Sequence, residues 1–154
     1  MFVAKKTYLM LLILPVIGIF WQSAHAAAGS STEQIKAVLG AQADAWNKGD
    51  LDAFMTGYLQ SPDTSYTSGG TEVWGYDALR QRYQNKYGAS KDTMGNLTFS
   101  DLKVFDLGAK DALCIGHWHL EPHDKPQVNG VFSLVLVRAR DGWKIMHDHT
   151  STIQ

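Results

Sequence analysis

The chain has 154 residues, and its 14 Lys and Arg nearly balance its 15 Asp and Glu. No like-charge block occurs, which argues against a nucleic-acid surface, since that needs a basic face. Cys114 is the single cysteine, so no intramolecular disulfide can form. Its neighbours Ala112, Leu113 and Ile115 make a buried, unreactive thiol the expected state.

The N-terminus has the three parts of a secretory signal. Lys5 and Lys6 are positive, Tyr8 to Trp21 is apolar apart from Pro15 and Gly18, and Ala24-His25-Ala26 supplies small residues for cleavage. The apolar run is shorter than the roughly 20 residues that a membrane-spanning helix needs. Residues 1–26 are therefore expected to be removed on export to the periplasm or exterior, with no membrane attachment afterwards. Residues 27–154 suffice for one domain and are too few for two.

Ser31 and Gln34 form a capping-box pattern. Ile35, Val38, Leu39, Gln42, Ala45 and Trp46 then recur at helical spacing, and Gly49 is a suitable stop. Asp50 caps a second short helix carrying Leu51, Phe54, Met55 and Tyr58, in a unit ended by Pro62. Residues 64–67 and 71–74 read as strands around the turn Ser68-Gly69-Gly70. Tyr76 to Tyr87 reads as a third helix, on which Arg80 and Arg82 are expected to face solvent. Strand-like runs follow at 97–105, 112–120, 128–138 and 143–150, with Arg140-Asp141-Gly142 as a hairpin signal. Helices first and an antiparallel meander last give an α+β order.

Two segments carry a family resemblance. Ala45-Trp46-Asn47-Lys48-Gly49-Asp50-Leu51-Asp52-Ala53-Phe54 resembles the helix–Gly-Asp–helix opening of nuclear transport factor 2-like proteins. Asp141-Gly142-Trp143-Lys144-Ile145-Met146-His147-Asp148-His149-Thr150-Ser151 resembles the last strand of their SnoaL-like bacterial branch, and that of the calcium/calmodulin-dependent kinase association domain. Ser68-Gly69-Gly70, Gly75 and Leu97 to Leu102 also fit the bacterial branch. The resemblance implies a cone-shaped α+β roll. In it, N-terminal helices pack on a curved antiparallel sheet, a pocket lies at the open end, and the outer sheet face forms a homodimer. It leaves function open, because one such fold hosts many activities.

Histidine supplies the first candidate chemistry. His117-Trp118-His119 and His147-Asp148-His149 each put two imidazoles on one strand face. Were the strands adjacent, four nitrogens could hold zinc, assisted by His123. Related proteins often carry arginine at the positions of His117 and His119, which suits an anion-tuned pocket better, so no metal or other cofactor is expected. By analogy with the kinase association domain, His117, His119, Asp148 and Thr150 point into the pocket. Trp118, Trp143, His147 and His149 would then face a dimer partner together with Phe132, and a bulge would reverse this assignment. A His119–Asp148 pair could act as general acid or base, or could bind a polar ligand.

Aromatic residues supply the second. Trp46, Tyr58, Tyr66 and Tyr83 fall where the resembling pockets are lined, and the hydroxyls of Tyr58 and Tyr83 need partners if buried. The tyrosine and the base of the ketosteroid isomerase branch would fall near Gln42 and near Tyr66-Thr67, so that reaction is not implied. No nucleophile elbow, phosphate loop or dinucleotide fingerprint occurs. Asn96-Leu97-Thr98 is a formal glycosylation sequon within a strand-like run.

The expected function is an exported homodimer that binds a small hydrophobic or carboxylated molecule. An enzyme of isomerase, cyclase or hydrolase type using His119 with Asp148 is the first alternative. An assembly domain using the outer sheet face is the second.

Overall fold

The computed structural model describes residues 29–153. The export signal expected at residues 1–26 lies outside them. Helix α1 (Ser31–Asn47) starts one residue earlier than the capping pattern suggested. Ser30 is the cap: its side chain accepts from the Glu33 N–H, and its own N–H donates to the Glu33 carboxylate at 2.8 Å. The helix buries Ile35, Leu39, Gln42, Ala45 and Trp46, the stripe set by its apolar spacing.

Gly49 ends α1 with φ +75°, a conformation that costs other residues about 1–2 kcal/mol. A Cβ there would lie 2.1 Å from the Lys91 backbone nitrogen. The chain then turns into α2 (Leu51–Met55), whose Ala53 N–H is capped by Asp50 at 2.9 Å. This helix is much shorter than the unit expected up to Pro62. Strands β1 (Ser65–Ser68) and β2 (Thr71–Trp74) form a hairpin around Gly69 and Gly70, both at positive φ as a tight two-residue turn requires. Helix α3 (Tyr76–Tyr87) matches its expected limits and is tied to α2 by Arg80, which donates to Asp52 at 2.6 Å. A further short helix, α4 (Lys91–Met94), was not foreseen.

The remaining strands are β3 (Asn96–Asp106), β4 (Asp111–Glu121), β5 (Val128–Ala139) and β6 (Gly142–Thr152). The six-stranded sheet has the order β2-β1-β6-β5-β4-β3. It is mixed rather than wholly antiparallel, because β1 runs parallel to β6. The meander β3–β6 pairs through successive hairpins, while β1 must cross to lie beside β6, with β2 outside it as the edge strand. Helix α1 packs on one sheet face. Its C-terminal end is fixed by Trp46 Nε1, which donates to the Met94 carbonyl at 2.9 Å. Asn47 adds a bond to the Leu97 carbonyl and accepts one from the Leu97 N–H.

The sheet faces follow from two details of register. On β4, Ala112, Cys114, Gly116, Trp118 and Leu120 face the helices, and Ile115, His117 and His119 face outward. On β6, Val135 pairs with His147 but Leu136 pairs with Ile145, so Met146 is an extra residue in a bulge. The bulge breaks the two-residue period: Trp143 and Ile145 face inward, and so do Asp148 and Thr150. His147 and His149 face outward.

Candidate functional site

A cavity of about 110 Å³ lies between α1, α2, α3 and the inner sheet face. Its walls are mostly apolar: Leu39, Trp46 and Phe54 from the helices, with Leu97, Phe99, Trp118, Leu120, Phe132, Leu134 and Ile145 from the sheet. Lys86 and Thr152 also line it and are exposed, so they mark its mouth. Aromatic edges hold the helical wall together. Trp46 meets Phe54 at 5.0 Å and Tyr87 at 4.9 Å, and Phe54 meets Tyr83 at 5.2 Å, each edge to face. Such contacts contribute about 0.5–1.5 kcal/mol apiece beyond area burial, so this wall is stiff.

One charged group of this lining is buried, in contrast to Lys86 at the mouth. Asp148 is 6% exposed, and its Oδ2 accepts from the Tyr58 hydroxyl at 2.7 Å. The Tyr58 oxygen lies 3.0 Å from the Tyr83 hydroxyl. Because the Tyr58 proton is committed to the carboxylate, Tyr83 is the donor in the second bond. The order is Tyr83 to Tyr58 to Asp148. Burial pushes the Asp148 carboxyl up from 3.8 to about 6, opposed by the Tyr58 hydrogen bond and by His149. Burial foremost, and then the nearby Asp148 charge, push both phenols well above their ordinary range, so they remain donors. Asp148 Oδ1 is buried without a partner, and so is Trp118 Nε1 on the same cavity wall.

The expected site residues divide into two groups. Trp46, Tyr58, Tyr66, Tyr83, Asp148 and Thr150 line the cavity. His117 and His119 do not: both project from the opposite sheet face, and His119 Nε2 lies 3.1 Å from Glu121 Oε1 near solvent. A His119–Asp148 pair is therefore ruled out, because the apolar row Ala112, Cys114, Trp118, Leu120 takes the inner face of β4 and strict alternation puts both histidines outside. The interface expectation needs a parallel correction. Trp118 and Phe132 line the cavity, and Trp143 is buried at 2% exposure beside α1, so these three are not outer-face residues. His147 and His149 do lie on the outer face, with His147 Nδ1 at 2.8 Å from Ser65 Oγ. The four strand histidines do not converge, since β5 separates β4 from β6. Among the described residues no group of three His, Cys, Asp or Glu is arranged to hold a metal.

Gln42, at the position where an isomerase tyrosine would stand, is buried and donates to the Phe54 carbonyl at 3.1 Å. The Tyr58–Asp148 contact escaped the sequence reading as a pair, although both residues were singled out. Its signal was an unusual one: an acidic residue in the interior row of a strand, with a tyrosine hydroxyl needing a partner.

Comparison with known proteins agrees with this architecture. The profile of the SnoaL-like domain matches residues 35–154. A nuclear transport factor 2-like protein of unknown function from Shewanella oneidensis MR-1 is 34% identical, over 78% of this chain and 98% of that one, with a TM-score of 0.73. A ketosteroid isomerase-like protein from Erwinia carotovora atroseptica is 18% identical over 82% and 98%, with a TM-score of 0.64. A dehydratase-like protein of the same superfamily from Streptomyces avermitilis is 21% identical over 80% and 96%, with a TM-score of 0.61. The last two show a shared fold alone. No curated protein matches the chain. Helices on one face of a six-stranded sheet, a cavity between them and the matched profile together make this chain a member of the SnoaL-like domain family, with the nuclear transport factor 2-like fold.

Proposed function

We propose that this protein binds a small, mostly apolar molecule in the cavity between α1, α2, α3 and the sheet. One observation carries the reading: a buried carboxylate, Asp148, held by Tyr58 inside an aromatic-walled cavity, with its second oxygen unpartnered. A chain selected only for stability would replace such a group, because an uncompensated buried charge is expensive. Apolar walls with a few placed polar atoms are the usual composition of a small-molecule site. A thermal-shift screen of residues 27–154 against small aromatic and carboxylated compounds tests this. Binding at 100 times Kd adds about 2.7 kcal/mol of stability, a shift of several degrees in Tm. Failure of every compound to stabilise the protein would remove the proposal.

A second reading follows from the ionisation of Asp148. A carboxyl pushed to about 6 can take and return a proton near neutral pH. In this reading Asp148 is the general base of an isomerase, cyclase or hydrolase, oriented by Tyr58, and His119 has no part. It requires Asp148→Asn to abolish turnover while leaving ligand binding measurable.

Export and homodimerisation complete the proposal. The signal-like N-terminus supports export, and N-terminal sequencing of the protein from a periplasmic fraction would check cleavage after Ala26. The outer sheet face supports self-association: Phe105, Ile115 and Val131 are exposed there among His117, His147 and His149. Sedimentation of wild type and Ile115→Asp would test it, with a shift from dimer to monomer as the expected result. A monomeric wild type would end that part of the proposal, and the third reading, an assembly domain, with it.

A further inference from the structure

Two polar atoms of the cavity wall are left over when the internal hydrogen bonds are counted. Asp148 Oδ1 accepts nothing, and Trp118 Nε1 donates to nothing. An ionised carboxylate oxygen is an acceptor only, and an indole nitrogen is a donor only. Buried polar groups without partners are rare in native proteins, and each one calls for a reason. Here both belong to residues lining the same cavity, and their needs are complementary in sign.

Their positions differ in an informative way. Asp148 stands on β6 opposite Leu134, beside the Tyr58–Tyr83 pair. Trp118 stands on β4 opposite Gly130, and a Cβ on Gly130 would lie 2.7 Å from the Trp118 ring. The glycine thus lets the indole lie close against β5. Trp118 and Asp148 stand diagonally on the inner face: two strand spacings put roughly 10 Å between β4 and β6, and the four residues from Gly130 to Leu134 add about 13 Å along the strands, so the side chains are neighbours only across the length of the cavity. The wall between the two atoms is apolar, formed by Phe132 and Leu134, with Phe99 against Phe132 edge to face at 5.6 Å. The cavity, about 110 Å³, is smaller than the ~150 Å³ that holds a single benzene ring, but it is open at a mouth by Lys86 and Thr152, so a substituted ring would occupy the cavity and the mouth together.

Resting on the reading that this cavity is a ligand site, we infer that its ligand is a single-ring compound with a hydroxyl at one end and a carbonyl-type oxygen at the other. The hydroxyl donates to Asp148 Oδ1, and the oxygen accepts from Trp118 Nε1. The ring lies against Phe132 and Leu134. Thr150, which also lines the cavity, spends its hydroxyl on the Val131 carbonyl at 3.2 Å and so does not compete as an anchor.

Three probes separate the parts of this claim by isothermal titration at pH 7: 4-hydroxyacetophenone with both groups, p-cresol without the carbonyl, and acetophenone without the hydroxyl. The expected result is that 4-hydroxyacetophenone binds about tenfold more tightly than either of the others, the value of one hydrogen bond to a buried partner. Trp118→Phe keeps the ring and removes only the N–H. It should erase the advantage over p-cresol and preserve the advantage over acetophenone, and Asp148→Leu should do the reverse. Equal affinity of the three probes for wild type would overturn the ligand class while leaving the cavity as a binding site. No binding of any probe at millimolar concentration would overturn both. The wild-type comparison decides the matter even if a variant fails to fold.

Discussion

Replacing Asp148 by Asn should abolish a loss of stability that the wild type suffers as pH rises to neutral. In the unfolded chain this carboxyl titrates near 3.8, and in the folded protein near 6. The folded state therefore holds the proton more tightly. Its contribution to stability is fully present below 3.8 and is lost as pH rises through about 6. At 1.36 kcal/mol per pKa unit, the loss is about 3 kcal/mol. Asparagine has nearly the same shape, can still accept from Tyr58, and does not titrate. Urea unfolding of wild type and Asp148→Asn at pH 4, 5, 6 and 7.5 isolates the effect, because other carboxylates cancel in the difference. The variant should gain on wild type by up to about 3 kcal/mol between pH 4 and pH 7.5, with no further change above. A difference that stays flat with pH would refute the claim that Asp148 is buried and costly. So would a variant that loses ground as pH rises.

Other perturbations test the supports of the site. Tyr58→Phe strips the donor from Asp148 Oδ2 and should cost about 1–3 kcal/mol, measured by urea unfolding at pH 7.5; the midpoint for protonating Asp148, followed by carboxyl NMR, should move further up. Asn47→Ala removes both bonds to the Leu97 backbone and should cost about 2–3 kcal/mol, with faster amide exchange at Leu97. Gly49→Ala should destabilise by more than the ~1–2 kcal/mol of a left-handed backbone, since its Cβ would strike Lys91; circular dichroism during heating would show the drop in Tm.

The fold was open to sequence reasoning because local signals agreed with one another. Ile35, Leu39, Ala45 and Trp46 mark the buried face of α1, Gly49 marks its end, and the paired glycines Gly69 and Gly70 mark the first hairpin. The parallel pairing of β1 with β6 was hidden, because it joins segments about 80 residues apart and no local pattern encodes it. The site was half legible. Tyr58, Tyr66, Tyr83 and Asp148 were recognised as separate residues. The inner row of β4 was also visible as an alternation of Cys114, Gly116, Trp118 and Leu120, but an analogy placed His119 inside in its stead. The bulge at Met146 is different in kind. One extra residue reverses the facing of a strand, and the segment Ile145-Met146-His147-Asp148 carries no glycine or proline to announce it. Bulges often stand beside functional groups, and this one turns Asp148 toward Tyr58.

The central claim is that a ligand enters the cavity between Trp118 and Asp148. The indole N–H signals of the protein report on it directly, because Trp46 and Trp118 line the cavity while Trp74 is exposed on β2 and Trp143 is buried outside it. A ¹⁵N–¹H NMR titration with 4-hydroxyacetophenone should move the Trp118 indole signal most, as that N–H gains an acceptor. The Trp46 signal should move less, and those of Trp74 and Trp143 should stay in place. A Trp118 signal that does not move while the compound binds elsewhere, or no shift in any indole, would contradict the account.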